Sequence, residues 1–283
     1  MDAKPSGVPV RSLALVGPGR AGTGVALALA RAGWRVRAVA GGHRASPTLR
    51  SAAELLDAST VAVEDAGRDV ALVIVATPDA LITSTAARVA PSLAPGALVV
   101  HLSGSRSVSD LDPIRTTRPD VEVGVLHPLQ SLPSPEVGAQ RLAGAWCAVS
   151  GPESVTDLAA DLGMHPFVVA DGARTAYHAA ATIASNHLVA LLGQAQRVAA
   201  SAGVPFDALL PLVQATVDNL AELGPAGALT GPVARGDVST VAGHLDALPE
   251  SERPAYRALA DAALRLAGRD DPALRSLVAE PRP

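Results

Sequence analysis

Two textures divide the chain. Up to about residue 170, short apolar runs rich in β-formers alternate with stretches whose apolar positions recur at helical spacing, the pattern of a parallel sheet covered by helices. The runs at 12–16, 35–39, 70–76, 97–102, 121–126 and 145–149 predict strands. Val70-Ala71-Leu72-Val73-Ile74-Val75-Ala76 is apolar without a break, as expected of a strand buried on both faces. From about Asp171 strand signals stop and Ala/Leu-rich helical patterns take over. A helix is predicted over 173–202, stopped by Gly203-Val204-Pro205, and a second over 207–223, closed by Gly224-Pro225. Two more follow at 238–248 and 254–267. The expected organisation is an α/β domain with a mostly parallel sheet over 1–170, an all-helical domain over 171–268, and a flexible tail over 269–283, where Pro and charge occur without period.

The first predicted strand runs into Gly17-Pro18-Gly19-Arg20-Ala21-Gly22 and then into a helical stretch. A G-x-G-x-x-G in that strand–turn–helix setting predicts a Rossmann-like dinucleotide site. Gly17 makes the tight turn, Gly19 admits a diphosphate to the backbone, and Gly22 lets the helix pack on the sheet, while Arg20 and Ala21 open the helix whose free N–H groups face the phosphates. An NAD-preferring site places a carboxylate at the end of the second strand; here Ala40-Gly41-Gly42-His43-Arg44-Ala45-Ser46 contains none. His43, Arg44 and Ser46 are instead suited to a ribose 2′-phosphate, so the expected cofactor is NADP(H). Thr77, Pro78 and Ser103 lie in loops at strand ends that should rim the same crevice, as does His127, although such residues are also ordinary turn formers.

Composition removes other classes of function. The chain has 283 residues, 48% of them hydrophobic, and a formal charge of -4, which gives no footprint for nucleic acid or an anionic membrane surface. No stretch reaches the roughly 18 uninterrupted apolar residues of a membrane span, and the N-terminus has no signal-peptide pattern, so a cytoplasmic protein is expected. A lone Cys147 excludes a disulfide framework and multi-cysteine metal sites; no metal is expected. Lys4 is the only lysine, so any proton transfer must be done without one.

That restriction directs attention to the first helix of the second half. At helical spacing Thr175, His178, Thr182, Ser185 and Asn186 form one polar stripe on an otherwise apolar helix, which is expected to be buried with the stripe facing a ligand or a polar partner. His178 is the candidate acid/base, with Ser185 and Asn186 as substrate ligands and Thr182 beside them; a core histidine satisfied by the backbone is the alternative. His127 is the rival proton donor, and His101 is expected inside its strand. Ser105 is a further substrate candidate. Thr230 and Arg235 offer a carboxylate site, against the alternative that Asp237 merely caps the next helix.

Taken together, Gly17-x-Gly19-x-x-Gly22, Ala76-Thr77-Pro78-Asp79, His101-Leu102-Ser103-Gly104-Ser105, His127-Pro128-Leu129-Gln130, Tyr177-His178 with Ser185-Asn186, and Leu229-Thr230-Gly231-Pro232 through Asp237 resemble a bacterial family that joins a Rossmann-like domain to a helical domain of unknown function, the domain-of-unknown-function 2520 type. The wider group of similar architecture includes ketopantoate reductases, pyrroline-5-carboxylate reductases and 6-phosphogluconate dehydrogenases. The resemblance implies substrate bound between the nicotinamide and the first long helix of the helical domain, and a homodimer formed through that domain. Many of those enzymes use a lysine on that helix; this chain has none there. The expected activity is NADPH-dependent reduction of a small 2-oxo acid, ketopantoate first, with an imine of pyrroline-carboxylate type or a non-catalytic NADP-binding sensor as alternatives.

Overall fold

Along β1 (Ser12–Val16), Leu13 and Leu15 point to one face of the sheet and Ala14 and Val16 to the other, and all four are fully buried. Alternate side chains of a strand leave opposite faces, so a strand that is apolar throughout requires a cover on both sides. The computed structural model, which describes residues 11–41 and 46–279, supplies both covers. On one face the helices Arg20–Arg31, Pro47–Leu55 and Glu153–Asp161 pack through Val25, Leu29, Leu49, Val155 and Leu158. On the other, Ile82–Val89 and Asp112–Thr117 pack through Ile82, Ala86, Val89 and Ile114.

The remaining strands are β2 (Arg35–Ala40), β3 (Ser59–Val61), β4 (Leu72–Val75), β5 (Leu98–His101), β6 (Glu122–Pro128), β7 (Trp146–Ser150) and β8 (His165–Val168). They form one sheet in the order β3-β2-β1-β4-β5-β6-β7-β8. Every neighbouring pair is parallel except β6 and β7, which are antiparallel. The chain direction across the sheet reverses between β1 and β4, which opens a crevice beyond their carboxyl ends. All six predicted strands are present within two residues of their expected ends. β3 and β8 were not anticipated: β3 is three residues of mixed polarity, and Pro166 in β8 reads against a strand but is tolerated because β8 lies at the edge of the sheet.

The contacts divide the chain into two compact units, one ending at Ser185 and the other beginning at Asn186. The expected helix at 173–202 is three segments: an α-helix Arg174–Thr182, a π-helical turn Ile183–His187, and an α-helix Leu188–Ser201. The second expected helix begins at Leu210 and runs to Ala228, with a kink at Gly224, whose φ of 70° any other residue would resist. Gly224-Pro225 therefore bends the helical run instead of closing it. In the second unit a core of Val233, Val241, Ala260, Leu264, Leu274 and Val278 joins the helices Pro232–Arg235, Val238–Ala247, Arg253–Leu266 and Pro272–Val278.

Two expectations are corrected here. The segment 269–283 is no period-free tail over its described part: Asp271 caps the helix Pro272–Val278 by accepting from Ala273 N and Leu274 N, and Leu274 and Val278 are spaced four apart to reach the core. Nor is the apolar rod enclosed. Leu188–Ser201 and Leu210–Ala228 contain no buried residue, and Val189 and Leu212 are 71% and 66% exposed.

Candidate functional site

The turn that follows β1 shows what each glycine does. Gly17 has φ 93°, and a Cβ there would lie 2.6 Å from the Ala76 carbonyl carbon, so the loops after β1 and β4 can meet only at a glycine. At Gly22 a Cβ would strike Ala76 Cβ at 2.6 Å, which is the close approach of helix to sheet. Gly19 is different, because no described residue lies within 4 Å of its absent Cβ. Gly19 is also the N-cap of Arg20–Arg31 and provides no capping side chain, so the first N–H groups of the helix, at Arg20, Ala21 and Gly22, are available to an anion.

A cavity of about 500 Å³ opens at the carboxyl ends of β1, β2 and β4; Gly17, Gly19, Gly41, Ser46, Thr77 and Pro78 are among its lining residues. Thr77 Oγ1 is buried there with no hydrogen-bond partner among the described residues. Buried hydroxyls are normally satisfied, so this one fits a ligand that completes it. The donor set, the open glycine and the orphaned hydroxyl all fit a dinucleotide. His43 and Arg44 lie outside the described residues. Ser46, at the N-terminus of Pro47–Leu55, makes no side-chain cap bond.

On the next strands a polar cluster forms within the first unit. His127, at the end of β6, has its Nδ1 2.7 Å from Tyr177 Oη. The ring of His178 stands edge-on to that of His127, with centroids 5.8 Å apart, and His178 Nδ1 is buried without a partner among the described residues. Both imidazoles press against Gly104: a Cβ at this position would lie 2.6 Å from His178 Nδ1 and 2.8 Å from His127 Nε2. Burial, aided by His178 and Arg174, pulls the pKa of His127 down to about 4, which keeps the ring neutral at pH 7. Burial pushes the Tyr177 phenol up to about 12, against the opposing pull of Arg174. Phe167 of β8 stacks edge-on against Tyr177.

Arg174, at the start of the same helix, is 0% exposed. One Nη donates to Ser150 Oγ at 2.7 Å, the Nε is 3.7 Å from an Asp171 carboxylate oxygen, and Nε and the other Nη have no hydrogen-bond partner. His101, as expected, sits within β5. Its ring nitrogens engage Ser107 O at 3.0 Å and Ser103 N at 3.2 Å, and burial keeps it neutral. Asp79 ties two loops together by accepting from Ser105 Oγ at 2.6 Å. Ser103 Oγ accepts from Ser105 N and Arg106 N, which makes it the organiser of its own turn.

The structure thus brings His127 and His178 together and places Thr182 half-buried one turn further along the helix. The single stripe of the sequence reading is broken. The π-helical turn interrupts the 3.6-residue register, and Ser185, whose hydroxyl donates to Ala181 O at 2.7 Å, and Asn186 both lie exposed on it. Thr230 and Arg235 are exposed in the other unit. Asp237 caps Val238–Ala247 by accepting from Thr240 N, and its hydrogen bonds with Thr240 and Ser239 draw its pKa down to about 2. Gly104, Arg174, Ser150 and the pairing of Tyr177 with His127 were not assigned roles from the sequence. Gly104 and Tyr177 lay within motifs that carry the resemblance, and Arg174 was visible as a charge at the head of an apolar helix.

A parallel sheet with its glycine turn at the switch point defines an α/β dinucleotide-binding architecture, and residues 5–128 match the family model of a Rossmann-like domain. Residues 148–263 match the DUF2520 model, a domain of unknown function, so the chain joins these two domains in the order its motifs implied. Among solved structures, protein BF3122 from Bacteroides fragilis is similar at 24% identity, over 92% of this chain and 98% of that one, with a TM-score of 0.75. Protein TM1727 from Thermotoga maritima is similar at 25% identity, over 94% and 99%, with a TM-score of 0.64. Pyrroline carboxylate reductase from Plasmodium falciparum, solved with NADP bound, shares the fold at 13% identity, over 92% and 97%, with a TM-score of 0.61. No curated protein matches the chain. Among the described residues, no helix is long and apolar enough to cross a membrane.

Proposed function

We propose that the protein is an NADPH-dependent reductase of a small 2-oxo acid, with ketopantoate as the first candidate and a cyclic imino acid as the second. The observation that carries this reading is the cavity after β1, β2 and β4, with its open Gly19 and unsatisfied Thr77 hydroxyl, on a sheet whose later strands carry neutral His127 beside His178. A nicotinamide dinucleotide held there supplies a hydride. The chain's own residues bind and orient: the helix N-terminus holds the diphosphate, Thr77 and Pro78 border the ribose and nicotinamide, and the imidazoles bind and protonate the carbonyl oxygen. Ser105, Thr182 and Ser185 remain the proposed substrate ligands of the first unit. The lack of a carboxylate at the end of β2 favours NADP(H) over NAD(H). Two of the similar proteins support the cofactor class: BF3122 is described as a candidate NADP oxidoreductase, and the reductase from Plasmodium falciparum was solved with NADP bound.

The uncovered helices Leu188–Ser201 and Leu210–Ala228 favour a homodimer in which a second copy covers them, because monomers rarely leave so much contiguous apolar surface in water. The test of function is direct. NADPH and NADH are titrated by fluorescence, and a panel of 2-oxo acids and cyclic imines is followed by loss of NADPH absorbance. NADPH should bind at least about tenfold more tightly than NADH, a difference of about 1.4 kcal/mol, and at least one 2-oxo acid should be reduced. Absence of binding by either coenzyme would end the proposal, and tight binding without turnover of any compound would identify an NADP-binding sensor instead.

A further inference from the structure

Three features around Gly104 require a common explanation. Two imidazoles press on a position where no side chain fits, one of them is joined to a phenol, and a guanidinium one turn before that phenol on the same helix is enclosed with two of its nitrogens unsatisfied among the described residues. A buried arginine whose partners are a serine hydroxyl and a carboxylate 3.7 Å away is only partly compensated. Tyr177 lies three residues after Arg174, on the same face of their helix.

We propose that Tyr177, His127 and Arg174 form a proton relay: His127 gives its Nε2 proton to a ligand oxygen beside Gly104, Nδ1 takes the Tyr177 proton, and the Arg174 guanidinium holds the phenolate that remains. The relay rests on the reductase reading and deepens it by naming the source of the proton. The bookkeeping of atoms closes. A carbonyl carbon reduced by a hydride leaves an alkoxide; the N–H bond at His127 Nε2 breaks as an O–H bond forms on that alkoxide, the Tyr177 O–H bond breaks as a new N–H forms at Nδ1, and the imidazole returns neutral in its other tautomer. The relay resets when Nε2 takes one proton from water and Nδ1 returns its proton to the Tyr177 phenolate, so that the single proton given to the alkoxide is replaced by a single proton from solvent.

The geometry gives each group its role. The buried phenol is protonated at neutral pH, so it is able to donate to Nδ1, and that bond leaves the ring proton on Nε2, the atom that faces Gly104. The charged and titratable groups around His127 are His178, Arg174, Asp79 and His101, and those around Tyr177 are Arg174 and Cys147. Arg174 is the group near Tyr177 that favours the phenolate, and in the resting state it has hydrogen-bonding capacity to spare.

The experiment uses the full chain. Nitrogen-15 NMR of the histidines without ligand should show His127 as the neutral Nε2–H form from pH 6 to 8, and Tyr177→Phe should abolish that preference. A proton found on Nδ1 in the wild type would mean that His127 donates to the phenol, and would overturn the relay. Since Tyr177 and Tyr256 are the only tyrosines, the ultraviolet titration of the wild type minus that of Tyr177→Phe isolates the Tyr177 phenol; Arg174→Lys should leave its ionisation near the wild-type value and Arg174→Met should raise it. An unmoved phenol in a folded Arg174→Met protein would remove Arg174 from the relay. On a reducible substrate, Tyr177→Phe should lower turnover about 100-fold, the lower end of what a positioned acid contributes, with NADPH binding unchanged within twofold. Turnover within threefold of wild type would overturn the proposal. If the wild type reduces nothing, the reductase reading falls by itself, while the NMR result still decides whether the phenol is the donor.

Discussion

Gly104 shows how much a single missing side chain can decide. Its Cβ would fall within hydrogen-bonding distance of two ring nitrogens, so Gly104→Ala must push His127 and His178 apart. Overpacking of this kind costs about 1–3 kcal/mol; the expected variant melts at a lower temperature in a thermal scan, still folds, and has lost the wild-type His127 tautomer by NMR. His127 itself links the site to pH. Its pKa in the folded chain, about 4, is below its ordinary value of 6.5, so the unfolded state binds the extra proton between these values. The stabilisation is complete above pH 6.5 and is lost as pH falls toward 4, by up to about 3 kcal/mol at 1.36 kcal/mol per unit. Urea melts at pH 7 and pH 4.5 should show that decline, and His127→Asn should reduce it. The Cys147 thiol, fully buried and pushed up to about 11 by burial, should react with a thiol reagent only after unfolding. At this scale the sequence identified both histidines, because their residue type announces their chemistry. It treated them as rivals, because nothing in a linear pattern reveals that residues 127 and 178 share one wall with Gly104.

The elements were legible in proportion to how local their causes are. Buried strands announce themselves by apolar runs, unbroken in Leu72–Val75 and interrupted by Arg35 and Arg37 in β2, and all six predicted strands are present. β8 escaped because its proline is permitted by its place at the sheet edge, a fact of topology and not of propensity. The π-helical turn at Ile183–His187 has no simple sequence signal, so the stripe drawn from His178 through Asn186 assumed a register the chain does not keep. The cap at Asp237, the alternative to a carboxylate site at Thr230 and Arg235, is present: its side chain accepts from Thr240 N. Asp237→Ala should cost about 1 kcal/mol and Asp237→Asn much less, measured by urea unfolding, since an asparagine oxygen caps nearly as well.

For the whole molecule, the two units rest on cores of different size. The second unit's small core depends on the helix Pro272–Val278, so truncation after Arg269, which removes Leu274 and Val278, should unfold that unit at a temperature that leaves the sheet intact, as read by calorimetry. The apolar helices Leu188–Ser201 and Leu210–Ala228 predict a dimer in sedimentation, and Leu212→Glu should weaken it by burying an unpaired charge. The DUF2520 match begins at Ala148, inside β7, whereas the Rossmann-like match ends at Pro128 on β6. The seam between the two modules therefore runs through a hydrogen-bonded ladder, with β7 and β8 completing a sheet that the first module begins. A cut between the two matches would expose β6 as a raw edge, and the compact unit that holds the whole sheet extends to Ser185.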